Sequence, residues 1–267
     1  MRSRPIGVFD SGLGGLTVVQ AIHRELPREK LAYFGDTARI PYGTKAPETI
    51  IRYSRQIVRF LLEREKVKAV VVACNTSSAW ALPTLRREFK VPILGVVEPG
   101  AATAVSVTRN GRIGVIGTEG TIASKAYPAA IRALAPKARV FAQACPLFVP
   151  LVEEGKVAGP LAEAVAREYL RPLLRARVDT LLLGCTHYPL LRRTLSKVAG
   201  KRVRIVDSAE ETARSLHRNL EARGIELAGH GGGTYYVSDL SRKFKAQAQR
   251  FLGRGVPKVE KVFIEKY

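Results

Sequence analysis

Cys74 and Cys185 each come directly after an apolar β-like run and directly before a polar pair, as Cys74-Asn75-Thr76 and Cys185-Thr186-His187. A thiol at such a strand-to-helix turn meets unpaired backbone N–H groups and the positive end of a helix, which lower its pKa and make thiolate available near neutral pH. One buried cysteine is ordinary packing. Two in echoing loops, each beside hydroxyl or amide donors, read as a pair of acid/base groups. Asp10 and Ser11 occupy the corresponding turn after the first apolar run, followed by Gly12, Gly14 and Gly15. A carboxylate there either caps the next helix or faces the Cys74 loop, where it could bind an ammonium group or steer a thiol proton. The glycines break the GxGxxG spacing of a dinucleotide loop. His187, two residues past Cys185, is expected to assist proton transfer there. No metal site is expected, because the thiols lack partners at zinc spacing and no HExxH occurs.

These residues need strand ends to hold them. Short apolar runs alternate with amphipathic stretches of helical length, the pattern of parallel α/β architecture. Strands are predicted near Ile6 to Phe9, Leu31 to Phe34, Ala69 to Ala73, Ile93 to Val97, Ile113 to Ile116, Ala138 to Phe141, Thr180 to Leu183 and Val203 to Val206. Helices fit Leu16 to Leu26, Thr49 to Glu65, Leu161 to Leu174 and Glu210 to Arg223, the second with Ile50, Tyr53, Ile57, Phe60 and Leu61 on one face. An internal repeat is visible: IGVFDSG at Ile6 to Gly12 echoes IGVIGTEG at Ile113 to Gly120, and AVVVACNTSSA around Cys74 echoes TLLLGCTHYPL around Cys185. The expected fold is therefore α/β, with two pseudo-symmetric lobes of mostly parallel sheets and the active site in the cleft between them, at the carboxyl edges where open sheets bind ligands. Residues 1–97 form the first lobe in this reading and 98–207 the second. Residues 208–267 return to the first, through a Gly-rich turn at Gly229 to Gly233 and a last helix and strand.

The chain has 267 residues, 46% hydrophobic and 25% charged, which excludes a disulfide-stapled miniature fold and global disorder. Three cysteines with no CxxC pair are thiols rather than a disulfide framework. No stretch has the apolar length of a membrane span, and the start MRSRPIGVFD lacks a signal-peptide core, so no membrane association and a cytoplasmic location are expected. The net charge is +21, yet the basic residues are scattered without a tail or repeat. That pattern is a solvated surface giving weak, nonspecific polyanion binding rather than a nucleic-acid stripe.

Four motifs carry a resemblance that covers nearly the whole chain: FDSGLGGLTV at the first strand, FGDTARIPYG at Phe34 to Gly43, ACNTSSA around Cys74 and GCTHYPLL around Cys185. In these the sequence resembles the cofactor-independent glutamate racemases, within the aspartate/glutamate racemase superfamily. The resemblance implies Cys74 and Cys185 as the two catalytic bases and no cofactor, pyridoxal phosphate included. It implies substrate contacts from Asp10, Ser11, Pro41, Tyr42, Gly43, Asn75, Thr76, Thr186 and His187. Asp10, His187 and Glu153 would assist catalysis, with Glu154 offering a competing register for Glu153. It further implies glutamate as the small-molecule substrate and a role in supplying D-glutamate for peptidoglycan; a homodimer is expected.

Elementary chemistry is in keeping with that implication. Inverting an α-carbon requires removing a proton from one face and returning one to the other, which suits two monoprotic groups. The developing negative charge needs donors at the α-carboxylate, which backbone N–H groups after each cysteine, Asn75, Thr76 and Thr186 could supply. The second carboxylate of glutamate needs donors at a fixed distance, from Ser11 and the Tyr42-Gly43 turn. Rival readings are a related racemase acting on aspartate, a hydantoin or another small acid, a nucleic-acid-binding protein, and a pyridoxal-phosphate enzyme.

Overall fold

The computed structural model describes residues 4–225, 227, 229–242, 244–253 and 258–267. Among them ten strands follow one another: β1 Ile6–Asp10, β2 Leu31–Gly35, β3 Ala69–Val72, β4 Ile93–Gly95, β5 Arg112–Gly117, β6 Arg139–Ala144, β7 Thr180–Gly184, β8 Arg204–Val206, β9 Gly233–Val237 and β10 Val259–Lys261. The chain divides into two compact units, one of Met1–Val96 with Ala209–Tyr267 and one of Val97–Ser208.

The first unit holds a six-stranded sheet in the order β10-β9-β2-β1-β3-β4, with every pair parallel. Parallel strands are covered on both faces, so they read as continuous apolar runs rather than alternating ones. That is why β1, β2 and β3 are buried at every position. Helix Pro47–Glu63 starts with proline at its first turn, where the missing N–H costs nothing, and buries Ile50, Ile57, Val58, Phe60 and Leu61. Phe60 meets Phe34, Tyr236 and Tyr267 at ring-centroid distances of 5.2, 5.1 and 5.2 Å, tying this helix to β2 and to the end of the chain. Gly15 lets the first helix, Leu16–Glu25, start against the site, since a Cβ there would lie 2.5 Å from that of Asp10.

The second unit holds a four-stranded parallel sheet in the order β6-β5-β7-β8. This repeats the order β2-β1-β3-β4 strand for strand, so the fold class read from the sequence, α/β with two pseudo-symmetric lobes of parallel strands, is the observed one. Ile113, Val115 and Leu182 on the strands pack with Ala101, Ala104, Tyr127 and Ile131 on helices to form its core.

Three local expectations differ from the structure. The strand placed at Ile93 to Val97 stops at Gly95, because helix Val97–Val107 already starts at Val97, with Pro99 tolerated in its first turn. β6 runs on from Phe141 to Ala144. The Gly-rich stretch Gly229 to Gly233 leads into β9, which pairs along β2 in the register Leu31↔Gly233 to Gly35↔Val237. No helix among the described residues is long and apolar enough to cross a membrane.

Candidate functional site

In the first unit Asp10, at the end of β1, is wholly buried, and its carboxylate accepts the backbone N–H of Gly12 at 3.0 Å. The Tyr33 hydroxyl donates to the Gly12 carbonyl at 2.6 Å and fixes the same turn. Cys74 lies one residue beyond β3, at the entry to helix Asn75–Trp80, and its thiol donates to Ser11 Oγ at 3.6 Å. Ser11 and Cys74, 63 positions apart in sequence, are thus brought together. Asn75 and Thr76 are buried on the first turn of that short helix.

The electrostatics of Cys74 overturn the expected depressed pKa. Burial, and then the negative charge of Asp10, push its thiol up to about 11, although hydrogen bonds from Ser77 and Ser11 oppose them. A helix of six residues supplies too little field to outweigh desolvation.

Pro41, Tyr42 and Gly43 follow β2 on a loop entered through a cis Ile40–Pro41 bond. Pro41 is exposed, whereas Tyr42 and Gly43 are buried. The Tyr42 ring packs with Cys74, Ile50, Tyr53 and Trp80. Its hydroxyl donates to the Asp36 carboxylate, and burial together with that carboxylate holds the phenol well above its ordinary pKa. Asp36, fully buried, also receives Arg39 Nε at 2.8 Å and the Ser238 hydroxyl at 2.8 Å. The Arg39 guanidinium lies 3.9 Å from the Tyr53 ring centroid and donates to Gln56 Oε1 at 2.6 Å. Asp36, Arg39 and Ser238 were not singled out from the sequence. The FGDTARIPYG motif contains the first two, but a carboxylate's burial and a partner just past a distant strand leave no local signal.

In the second unit Cys185 follows β7, and Thr186 and His187 beside it are buried. A 3-10 turn, Tyr188–Leu191, leads from there into helix Arg192–Ala199. His187 Nδ1 lies 4.0 Å from Cys185 Sγ, and His187 Nε2 lies 3.3 Å from Glu153 Oε1. Glu153 ends helix Phe148–Glu153, and its carboxylate meets the imidazole. The row Glu153, His187, Cys185 can relay or orient a proton at the sulfur. Cys145 sits directly after β6; burial pushes its thiol pKa well up, and its carbonyl accepts the Tyr188 hydroxyl at 2.9 Å. No group of three or more His, Cys, Asp or Glu among the described residues could hold a metal ion.

The family model for Asp/Glu/Hydantoin racemase matches residues 6–216. A glutamate racemase of Geobacter metallireducens is 52% identical over 98% of this chain and 97% of its own length. A crystal structure of glutamate racemase from Francisella tularensis in complex with D-glutamate aligns with a TM-score of 0.93 at 36% identity, covering 100% of both chains. That of the Escherichia coli glutamate racemase with L-glutamate and the activator UDP-MurNAc-ala aligns with a TM-score of 0.79 at 31% identity, covering 97% of this chain and 98% of the other.

Proposed function

Because the chain belongs to the glutamate racemases of the Asp/Glu/Hydantoin racemase family, we propose that it is an isomerase interconverting L- and D-glutamate, with Cys74 and Cys185 as its two proton-transfer groups. The observation that carries this reading is the equivalent placement of the two thiols. Cys185 directly follows β7, which pairs with β5, and Cys74 lies one residue beyond the end of β3, which pairs with β1. Relatives have been crystallised with each enantiomer, which accords with one site accepting both.

In the proposed reaction one thiolate removes the α-proton and the other thiol delivers a proton to the opposite face; the roles exchange for the other enantiomer. Cys74 takes the proton of D-glutamate and Cys185 that of L-glutamate. The Cys74 thiol starts too weakly acidic for this, at about 11, in part because Asp10 faces it. A substrate ammonium drawn to Asp10 offsets that negative charge and brings the thiol back toward the range where it transfers protons. At Cys185 the imidazole of His187, held by Glu153, orients or relays the proton at the sulfur. Asn75, Thr76 and Thr186, with the backbone N–H groups beside them, receive the α-carboxylate, where negative charge grows as the α-proton leaves. Ser11 and the Pro41-Tyr42-Gly43 turn receive the distal carboxylate. No cofactor takes part in this scheme.

In the cell the activity would provide D-glutamate for peptidoglycan, with the protein in the cytoplasm as a homodimer. Its charge of +21 would add weak, sequence-independent attraction to polyanions. The test is to incubate the purified protein, with no added cofactor, with L-glutamate in deuterated buffer. Formation of D-glutamate carrying deuterium at the α-carbon is expected; unchanged L-glutamate, or equal turnover of L-aspartate, contradicts the assignment.

A further inference from the structure

We propose that Ser238 is a positioning residue for the Tyr42-Gly43 turn, so that the carboxy-terminal strand β9 sets the affinity for the substrate's distal carboxylate. This rests on the reading of the chain as a glutamate racemase.

Ser238 directly follows β9, and its hydroxyl works in two directions. It donates to Asp36 Oδ1 at 2.8 Å and accepts the backbone N–H of Ala38 at 2.8 Å. Its own N–H bonds the Gly35 carbonyl at 3.2 Å, continuing the ladder between β9 and β2 by one residue. Asp239 adds a second stitch, its N–H donating to Thr37 Oγ1 at 2.9 Å while the Thr37 hydroxyl returns to the Asp239 carbonyl. The start of the loop is thereby bound to a segment about two hundred residues later in the chain.

Asp36 transmits this to the substrate side. It is fully buried, and it takes Ser238 on one carboxylate oxygen and the Tyr42 hydroxyl on the other. Its backbone N–H meets the Asp10 carbonyl at 3.0 Å. The Tyr42 ring it orients rests in the cluster that contains Cys74. Removing the Ser238 hydroxyl takes a donor from a buried carboxylate and an acceptor from Ala38; Arg39 Nε, at 3.0 and 2.8 Å from the two oxygens, still holds Asp36, but the carboxylate and the Tyr42 loop lose this tie to the segment after β9. Ser238 and Asp36 act by hydrogen bonds on the Tyr42 loop, and the Tyr42 ring meets Cys74 through packing rather than through a proton-carrying contact. The effect therefore falls on binding rather than on proton transfer.

The experiment compares full-length wild type, Ser238→Ala, Ser238→Thr, Tyr42→Phe and the double variant Ser238→Ala/Tyr42→Phe, in steady state with L- and with D-glutamate. Ser238→Ala is expected to raise KM about fivefold, the worth of one net hydrogen bond, while kcat stays within about twofold. Since the equilibrium constant of a racemisation is unity, kcat/KM falls equally in both directions. Ser238→Thr, which keeps the hydroxyl, restores most of the loss. The double variant is no worse than Tyr42→Phe by more than about twofold, because both changes act through the same carboxylate. If the alanine variant does not fold, Ser238→Cys, of similar size but a weak donor, carries the same comparison. A KM equal to wild type, a loss confined to kcat, or penalties that multiply in the double variant overturn the role of Ser238 while the racemase reading stands. A wild type that leaves both enantiomers unchanged overturns both.

Discussion

Cys145 occupies in the second sheet the place that Asp36 occupies in the first. Each directly follows the strand paired to the central one, and each donates its backbone N–H to the last residue of that central strand, Asp36 to the Asp10 carbonyl at 3.0 Å and Cys145 to the Gly117 carbonyl at 2.9 Å. Both serve a tyrosine hydroxyl, Asp36 through its carboxylate to Tyr42 and Cys145 through its carbonyl to Tyr188. In the second unit the backbone does this work, and the Cys145 thiol turns instead to the Gln143 carbonyl at 3.6 Å.

Cys145→Ser should therefore keep racemisation within about threefold of wild type. Serine can still donate to the Gln143 carbonyl, which the thiol meets at 3.6 Å, but it buries a more polar group, so the loss of stability should be about 1 kcal/mol. Thermal unfolding together with an activity assay checks both halves. Abolished turnover in a folded variant would contradict the assignment.

Glu153 Oε1 lies 3.3 Å from His187 Nε2, the contact expected of an acid that holds the imidazole. Glu153→Gln should lower kcat on the order of tenfold and His187→Asn about a hundredfold, with smaller changes in KM. Glu154→Gln should stay within about twofold. Rates for the three variants decide the register, and a larger loss at Glu154 than at Glu153 would reverse it.

Cys74 gives a pH signature in the substrate-free protein. Its folded pKa is raised to about 11, so its contribution to stability is intact below the ordinary thiol pKa. Above it the unfolded chain loses the proton first, and the contribution is lost progressively as pH rises through about 11. The stability difference between wild type and Cys74→Ser should shift against wild type over that alkaline range. Alkylation of Cys74 by iodoacetamide at mildly alkaline pH should be roughly a hundredfold slower than that of a free thiol. Labelling at the free-thiol rate would contradict the raised value.

Binding to duplex DNA should be weak, indifferent to sequence, and lost as salt is added, as counterion release requires. Titration at two ionic strengths tests this. Retention at high salt or preference for one sequence would point to a dedicated nucleic-acid surface.

Most of the scaffold was legible because parallel strands buried on both faces announce themselves as apolar runs, and the repeat around Cys74 and Cys185 located two equivalent turns. β9 was not, since it starts inside a glycine cluster and earns its place only by pairing with β2. The loop after β2 shows the same limit. Pro41, Tyr42 and Gly43 stand out as a motif, yet the contacts orienting Tyr42 come from Asp36, whose burial and link to Ser238 are tertiary facts. The expected depression of the Cys74 pKa failed because helix-terminus reasoning omits desolvation, the largest influence on that thiol.

The central claim is that two thiols divide the proton transfers, and it is tested most directly by initial racemisation rates of Cys74→Ser and Cys185→Ser in both directions, with Cys145→Ser as the control. Serine keeps the shape but is a far weaker acid, so each of the first two variants should lose racemisation by about a thousandfold or more while the third retains it. Near-normal turnover by either Cys74→Ser or Cys185→Ser, or loss in Cys145→Ser alone, would contradict the two-thiol account.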